Sequence, residues 1–186
     1  ARTVGLSVIM GLVWNTMAKN IVLRRRPYFD HEGIKILRVV EPKADIYDIA
    51  AQGYSFPSGH STNVATLFAS LAVNLRRRWV LVVAIVIPVL TGFSRIVGGA
   101  HYPTDVLAGW ALGFAVIGVF ELLNRYLKKE WIRHLILLAA TLPGLIYVRT
   151  EDYFTSLGLL IGAIIAIPFE RKYVNYEDTR KIPEIE

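Results

Sequence analysis

Residues 76–95 read RRRWVLVVAIVIPVLTGFSR: three arginines, an uncharged run from Trp79 to Phe93, then Ser94-Arg95. Apolar side chains go all the way round a helix built from that run, which a half-exposed helix of a water-soluble domain does not show. Working outward, comparable runs lie at Val4–Ala18, Ser61–Leu75, Pro103–Asn124, Trp131–Val148 and Phe154–Phe169. Each is roughly 15–22 residues, close to the ~17–25 a helix needs to cross a bilayer core. Composition agrees, with 54% hydrophobic and 19% charged residues in a chain of 186. That is too apolar for a soluble domain of this size. The expectation is an all-α, polytopic transmembrane helix bundle of six spans forming one integral membrane domain over residues 1–186.

The charges between the runs give an orientation. Arg76-Arg77-Arg78, then Arg125 with Lys128 and Lys129, then Arg171-Lys172 all fall on one side if the spans alternate. The positive-inside rule makes that side cytoplasmic, the C-terminus included. The expected location is the cytoplasmic membrane of a bacterial or archaeal cell. The Lys19–Phe56 and Ser94–Pro103 connections then face the extracytoplasmic side. Trp79 and Trp131 follow basic clusters and fit interfacial anchors. Arg24-Arg25-Arg26 breaks the rule by standing on the outward side, where a bound anion or anionic lipid headgroups would retain it.

Other features exclude function classes. Cysteine is absent, which removes disulfides, thiolate nucleophiles and thiolate metal sites. The net charge of +6 resides mostly in the loops and the arginine cluster, and no aromatic-basic platform for bases is present, so no nucleic-acid partner is expected. The first span lacks a basic start and a small-residue cleavage site, and reads as a transmembrane helix rather than a signal peptide. In the long Pro27–Phe56 connection, residues 45–51 have apolar positions at helical spacing and end at Gly53. They predict a short extracytoplasmic surface helix between spans one and two, either a gate or a plain connector. Gly109-x3-Gly113 and Gly158-x3-Gly162-x3-Ala166 are read as close packing within the bundle, with dimerisation as the lesser alternative, Pro88 and Pro143 as kinks, and His134 as a solvated histidine.

Three short segments carry chemistry. Lys19 and Arg26 lie seven apart, about two helical turns, so a continuing helix points both cations at one anion. Pro57-Ser58-Gly59-His60 opens the second span directly: Ser58 is suited to cap it, Gly59 admits close backbone approach, and the free amides of the first turn form an anion site. His60 lies beside that site as either a solvated residue or a catalyst. Around Ser94-Arg95, His101 and Asp105, Pro103 suits the first turn of the fourth span, with Asp105 four residues after His101. A carboxylate there accepts the ring N–H of His101, fixes its tautomer and leaves the other nitrogen free to attack. The plainer reading, Asp105 as a helix-dipole partner, leaves the preceding serine, arginine and histidine unexplained.

In order and spacing, Lys19-x6-Arg26-Pro27, Pro57-Ser58-Gly59-His60 and Ser94-Arg95-x5-His101-x3-Asp105 resemble the phosphatidic acid phosphatase type 2 superfamily. The resemblance covers about residues 19–113, with the spans over 131–169 as additions matched only by their apolarity. Many membrane members carry more helices before the first motif, so the two C-terminal spans complete the bundle or a beginning is missing. The resemblance implies that His101 is the nucleophile forming a phosphohistidine, that His60 protonates the leaving group and then activates water, and that Asp105 orients His101. It further implies that Lys19, Arg26, Arg95, Ser58 and the Gly59 amide hold the phosphoryl oxygens. No metal and no cofactor are expected, since three cations supply the charge stabilisation phosphoryl transfer needs.

The expected function is an integral membrane, metal-independent lipid phosphatase acting on a phosphorylated lipid in the bilayer. Undecaprenyl diphosphate, phosphatidylglycerophosphate, phosphatidic acid and lipid A phosphate all fit, and Arg24 and Arg25 are candidate contacts for a second phosphate or the headgroup. The alternatives are a lipid phosphotransferase or a sugar-phosphate phosphatase with the same site, and a non-enzymatic anion or lipid transporter. A carboxylate-backed histidine paired with a second histidine argues against the last, because binding alone needs neither.

Overall fold

A computed structural model describes residues 2–37 and 39–174. It is helical, with no strand among the described residues. Helix α1 spans Arg2–Val22, α2 Pro27–Asp30, α3 Ile49–Gln52, α4 Gly59–Leu75 and α5 Arg78–Val97. They are followed by α6 over Pro103–Tyr126, α7 over Glu130–Ala139, α8 over Gly144–Tyr147 and α9 over Glu151–Phe169, which runs on into a π-helical turn at Glu170–Val174. Helix α4 packs on α1, α5 and α6, while α1 also packs on α6 and α9. The bundle therefore has α1, α4 and α6 at its centre.

Four stretches are long and apolar enough to cross a membrane: Thr3–Asp30, Arg78–Val97, Pro103–Tyr126 and Glu151–Val174. Helix α5 shows why its sequence decides the architecture. Val80, Ala84, Pro88 and Gly92, spaced by four, are buried against the bundle, and Leu81, Val82, Ile85, Val89, Leu90 and Phe93 stand exposed. That outer face fits hydrocarbon rather than water. The helix continues through Pro88. Trp79 and Trp131 are exposed beside the basic loops.

Two of the six expected spans differ. The second is α4, 17 residues long, whose Ser61, Thr62, Thr66 and Ser70 are buried. Its hydroxyls are satisfied inside the bundle: the Thr62 and Thr66 hydroxyls donate back to Ser58 O and Thr62 O at 3.0 and 2.8 Å. The fifth run does not form one helix. It breaks after Ala139, the Thr141 hydroxyl donates to Leu138 O at 2.7 Å, and the helical path resumes only at Gly144 after Pro143. Proline withholds the N–H that a continuous helix needs there. Tyr153 of α9 fills the break, its hydroxyl donating to Thr141 O at 2.6 Å. A Cβ at Gly144 would come within 2.6 Å of that tyrosine ring.

The surface helix shrinks to the single turn α3, capped by Asp48 and ended by Gly53 at φ 68°. Its Gln52 is fully buried and organises the connection: the side-chain oxygen accepts from Val40 N and Glu41 N, and the side-chain nitrogen donates to Glu41 O and Asp45 O. His134 is also unlike the expectation, being buried at 6% exposure near Glu130 and Arg133.

Apolar packing concentrates away from the three chemical segments. Leu6 and Met10 of α1 meet Val116 and Phe120 of α6, Leu137 of α7 and Leu160 of α9. The contact of α4 with α6 is closer and depends on small residues. A Cβ on Gly109 would lie 2.7 Å from Ser58 O, and one on Gly113 would lie 2.9 Å from Thr62 O and from Ala65 Cβ. Gly158 and Gly162 have nothing within 4 Å and do not pack within this bundle.

Gly113→Leu is therefore expected to lower the thermal stability of the detergent-solubilised protein, by about 1–3 kcal/mol or more, whereas Gly158→Leu leaves the melting temperature close to the parent's. Equal melting curves for the two variants would contradict this packing.

Candidate active site

The three chemical segments meet at one end of the bundle. Ser58, the N-cap of α4, donates its backbone N–H to Asp105 O of α6 at 2.9 Å, which locks the starts of these two helices together. Between α5 and α6 the chain turns through Gly98 and Gly99. Gly99 has φ 72°, and a Cβ there would sit 2.8 Å from Lys35 O, so glycine suits the position on both counts. This turn delivers His101 to the position just before the N-cap of α6, where Pro103 starts the helix and the Tyr102 N–H donates to Asp105 Oδ2 at 2.8 Å.

Lys19, Arg26, Gly59, His60, Arg95 and His101 line one cavity of about 730 Å³. That lies within the usual range for a small-molecule site, about 300–1,000 Å³. Two of its cations are already held by main-chain carbonyls. Lys19 Nζ donates to Tyr54 O at 2.6 Å, Arg26 Nε donates to Gln52 O and Gly53 O at 2.9 and 3.1 Å, and Arg26 Nη1 donates to Ala100 O at 3.1 Å. Carbonyls fix the direction of these groups without neutralising them, so the positive charge stays available to an anion. The Arg95 Nε is buried with no hydrogen-bond partner.

Asp105 has no exposure and lies behind His101, which is 5% exposed. His101 Nδ1 faces Asp105 Oδ2 at 3.6 Å, just beyond hydrogen-bond length, and Nε2 is left as the free ring nitrogen. Burial pushes the His101 imidazole down to about 4; the Asp105 carboxylate opposes that shift, and the Arg26 and Lys19 charges reinforce it. The ring is therefore neutral near pH 7, as an attacking nitrogen must be. His60 is exposed at the cavity wall.

Four of the residues singled out from sequence do not line the cavity. Asp105 lies behind His101. The Ser58 side chain is buried, accepting from Ser61 N and Ser61 Oγ at 3.4 and 2.9 Å, so it closes the helix start rather than facing a ligand. Arg25 pairs with Asp30 at 3.2 Å, and Arg24 pairs with Asp105 Oδ1 at 3.1 Å. Neither arginine lines the cavity.

Other residues join the site that no motif pointed to. Ser55 Oγ donates to Asp105 Oδ2. Asn63 lines the cavity one turn below His60, and its buried side-chain oxygen has no partner; its place three residues after His60 on the same helix face was the available signal. Asp152, Thr155, Ser156 and Leu159 of α9 form another wall, with Val39 and Val40 of the long connection. A four-residue spacing on an apolar helix does not by itself reveal a contact with α1. Among the described residues no group of three or more histidine, aspartate or glutamate side chains is placed to hold a metal ion.

Histidine NMR should show the His101 midpoint near 4, and Asp105→Asn should lower it further, since the carboxylate raises it; a rise would reverse the assignment. Asp152→Asn removes the negative charge on the cavity wall. It should tighten inhibition by inorganic phosphate roughly two- to fivefold, the scale of one partly exposed charge pair, measured as an inhibition constant.

Comparison with known proteins agrees with the motif pattern. The chain is 31% identical over 111 residues to the undecaprenyl-diphosphatase of Sulfolobus acidocaldarius, covering 60% of this chain and 48% of that protein. It is 39% identical over 89 residues to phosphatidylglycerophosphatase B of Bacillus subtilis, covering 41% and 44%, and 48% identical over 70 residues to the lipid A 1-phosphatase of Rhizobium etli, covering 38% and 28%. The chain thus spans about half or less of the length of these relatives. No solved structure matches it. The family model of the PAP2 superfamily matches residues 1–129, a segment holding all three motifs and every cavity-lining cation, and the chain belongs to that superfamily.

Proposed function

We propose that this protein is an integral membrane phosphatase that hydrolyses a lipid phosphomonoester or diphosphate through a phosphohistidine. The observation that carries the reading is the convergence of Lys19, Arg26 and Arg95 with His60 and a carboxylate-backed His101 on one cavity. His101 Nε2 attacks phosphorus, a P–N bond forms, and the P–O bond to the lipid breaks. His60 gives the departing oxygen its proton. Water then attacks the phosphohistidine, His60 takes a proton from it, the P–N bond breaks, and inorganic phosphate leaves with His101 restored. Developing negative charge on the phosphoryl oxygens is met by the three cations, which is the part usually played by bound cations in phosphoryl transfer, so no metal is required.

The relatives act, by their names, on undecaprenyl diphosphate, phosphatidylglycerophosphate and lipid A. All are lipids whose phosphate sits at the membrane interface, and the cavity lies at the helix ends where such a headgroup arrives. Arg24 and Arg25 give no support to a diphosphate over a monophosphate, because both are engaged outside the cavity.

We read the chain as traversing the bilayer six times, with the short α4 and the broken 130–148 segment as two of the passages. Both ends of that segment support this: Glu130 pairs with Arg171 at 2.7 Å, away from the site, while Tyr147 donates to Met17 O near it. The arginines and lysines of the opposite loops support, by the positive-inside rule, reading the cavity as extracytoplasmic.

The test is phosphate release by the detergent-purified protein with chelator present, on undecaprenyl diphosphate, phosphatidylglycerophosphate, phosphatidic acid and lipid A, beside His101→Ala. Turnover by the parent and a loss of roughly 10⁴-fold or more in the variant are expected. Release restored only by added divalent cation, or no release from a folded parent, overturns the reading.

A further inference from the structure

Arg24 was a candidate for binding substrate, yet its guanidinium is turned away from the cavity and onto the buried carboxylate behind the nucleophile. Its Nη1 donates to Asp105 Oδ1 at 3.1 Å and to Thr104 Oγ1 at 2.7 Å, and the group lies 3.9 Å from the centre of the Tyr102 ring. Its own backbone carbonyl accepts from Ser55 N at 2.8 Å, and Ser55 Oγ in turn donates to the other oxygen of Asp105. The arginine therefore reaches Asp105 twice, directly on Oδ1 and through Ser55 on Oδ2.

From this geometry we infer that Arg24 is a positioning residue: it holds the Asp105 carboxylate in the one rotation that presents Oδ2 to His101, and it moderates the negative charge His101 feels. The inference rests on His101 being the nucleophile. A carboxylate free to rotate would present either oxygen, or neither, to the imidazole. With Oδ1 occupied by a fixed cation, and Oδ2 taking the Ser55 hydroxyl and the Tyr102 N–H, the remaining approach to Oδ2 belongs to His101 Nδ1 at 3.6 Å. Groups that orient a metal-ligating histidine commonly change activity about 10–100-fold when removed, though they never touch the substrate, and a histidine that must attack makes the same demand on its orientation.

The charges around His101 fix the sign of the expected shift. Lys19 and Arg26 from the end of α1 and the turn beyond it, Arg95 from α5 and His60 from α4 line the same cavity, Asp152 reaches it from α9, and Asp105 from α6 lies behind the ring. Arg24 acts on this set through Asp105. Removing its charge, with the Ser55 hydroxyl and the Tyr102 N–H still on Oδ2 so that the loosened carboxylate keeps facing the ring, leaves Asp105 a stronger partner for the imidazolium, and the His101 midpoint rises.

The experiment compares the parent with Arg24→Gln, Arg24→Lys and Thr104→Val in detergent. Steady-state hydrolysis is measured on phosphatidic acid and on undecaprenyl diphosphate, with the His101 midpoint followed by ¹⁵N-histidine NMR. In Arg24→Gln we expect kcat to fall roughly 10–100-fold on both lipids with KM little changed, and the midpoint to rise by roughly half a unit or more. Arg24→Lys restores most of both. Thr104→Val, which removes only the hydroxyl anchoring the guanidinium, moves both readouts the same way by less, and decides the matter if Arg24→Gln does not fold. An unmoved midpoint overturns the proposal: with a KM rise confined to the diphosphate, Arg24 is a substrate contact, and with a kcat loss alone it is merely structural. The NMR readout needs no turnover, so a parent inactive on every lipid would count against the lipid phosphatase reading while the midpoint still judged Arg24.

Discussion

A carboxylate with no exposure to solvent must be met on every side, and Asp105 is where this protein satisfies that demand. Its four partners come from three stretches of chain: Arg24 beyond α1, Ser55 from the long connection, and the adjacent His101 and Tyr102 at the start of α6. Its backbone carbonyl adds a fifth tie, to the start of α4. Segments up to 81 residues apart are thereby held at one end of the bundle. Withdrawing one partner leaves a buried charge incompletely paired, a far larger penalty than losing a surface contact. The cavity in front of His101 inherits its shape from that requirement.

The cations show a related economy of design. Lys19 and Arg26 are aimed by carbonyls of Tyr54, Gln52, Gly53 and Ala100. Except for that of Ala100, those carbonyls belong to the same connection that Gln52 knits together from inside. The loop is thus part of the site, although among the described residues of its middle only Val39 and Val40 reach the cavity wall. An arrangement fixed before the ligand arrives loses little in reorganisation when charge develops.

Sequence reading succeeded where the signal is local. An uncharged run such as 79–93 has few ways to fold other than as a helix among lipids, and the spacing of His101, Pro103 and Asp105 places the three in one turn. It fell short where the outcome depends on a distant neighbour. The run from Trp131 to Val148 reads as one helix until Tyr153 is seen filling the gap at Thr141 and Gly144. Arg24 and Arg25 read as surplus positive charge on the wrong side of a membrane. Their carboxylate partners, Asp105 and Asp30, become visible only when the chain folds back. Ser58 carries a phosphate-binding motif letter, yet the geometry of its helix start turns the hydroxyl inward.

The family match ends at residue 129, while Asp152, Thr155, Ser156 and Leu159 on α9 still face the cavity. The motif residues and the far wall of the cavity therefore lie in different parts of one chain, one inside the matched segment and one beyond it. Substitutions in α9 can reshape that wall while His60 and His101 stay untouched, so kinship in the motifs says more about the charged end of the cavity than about what fills the rest of it.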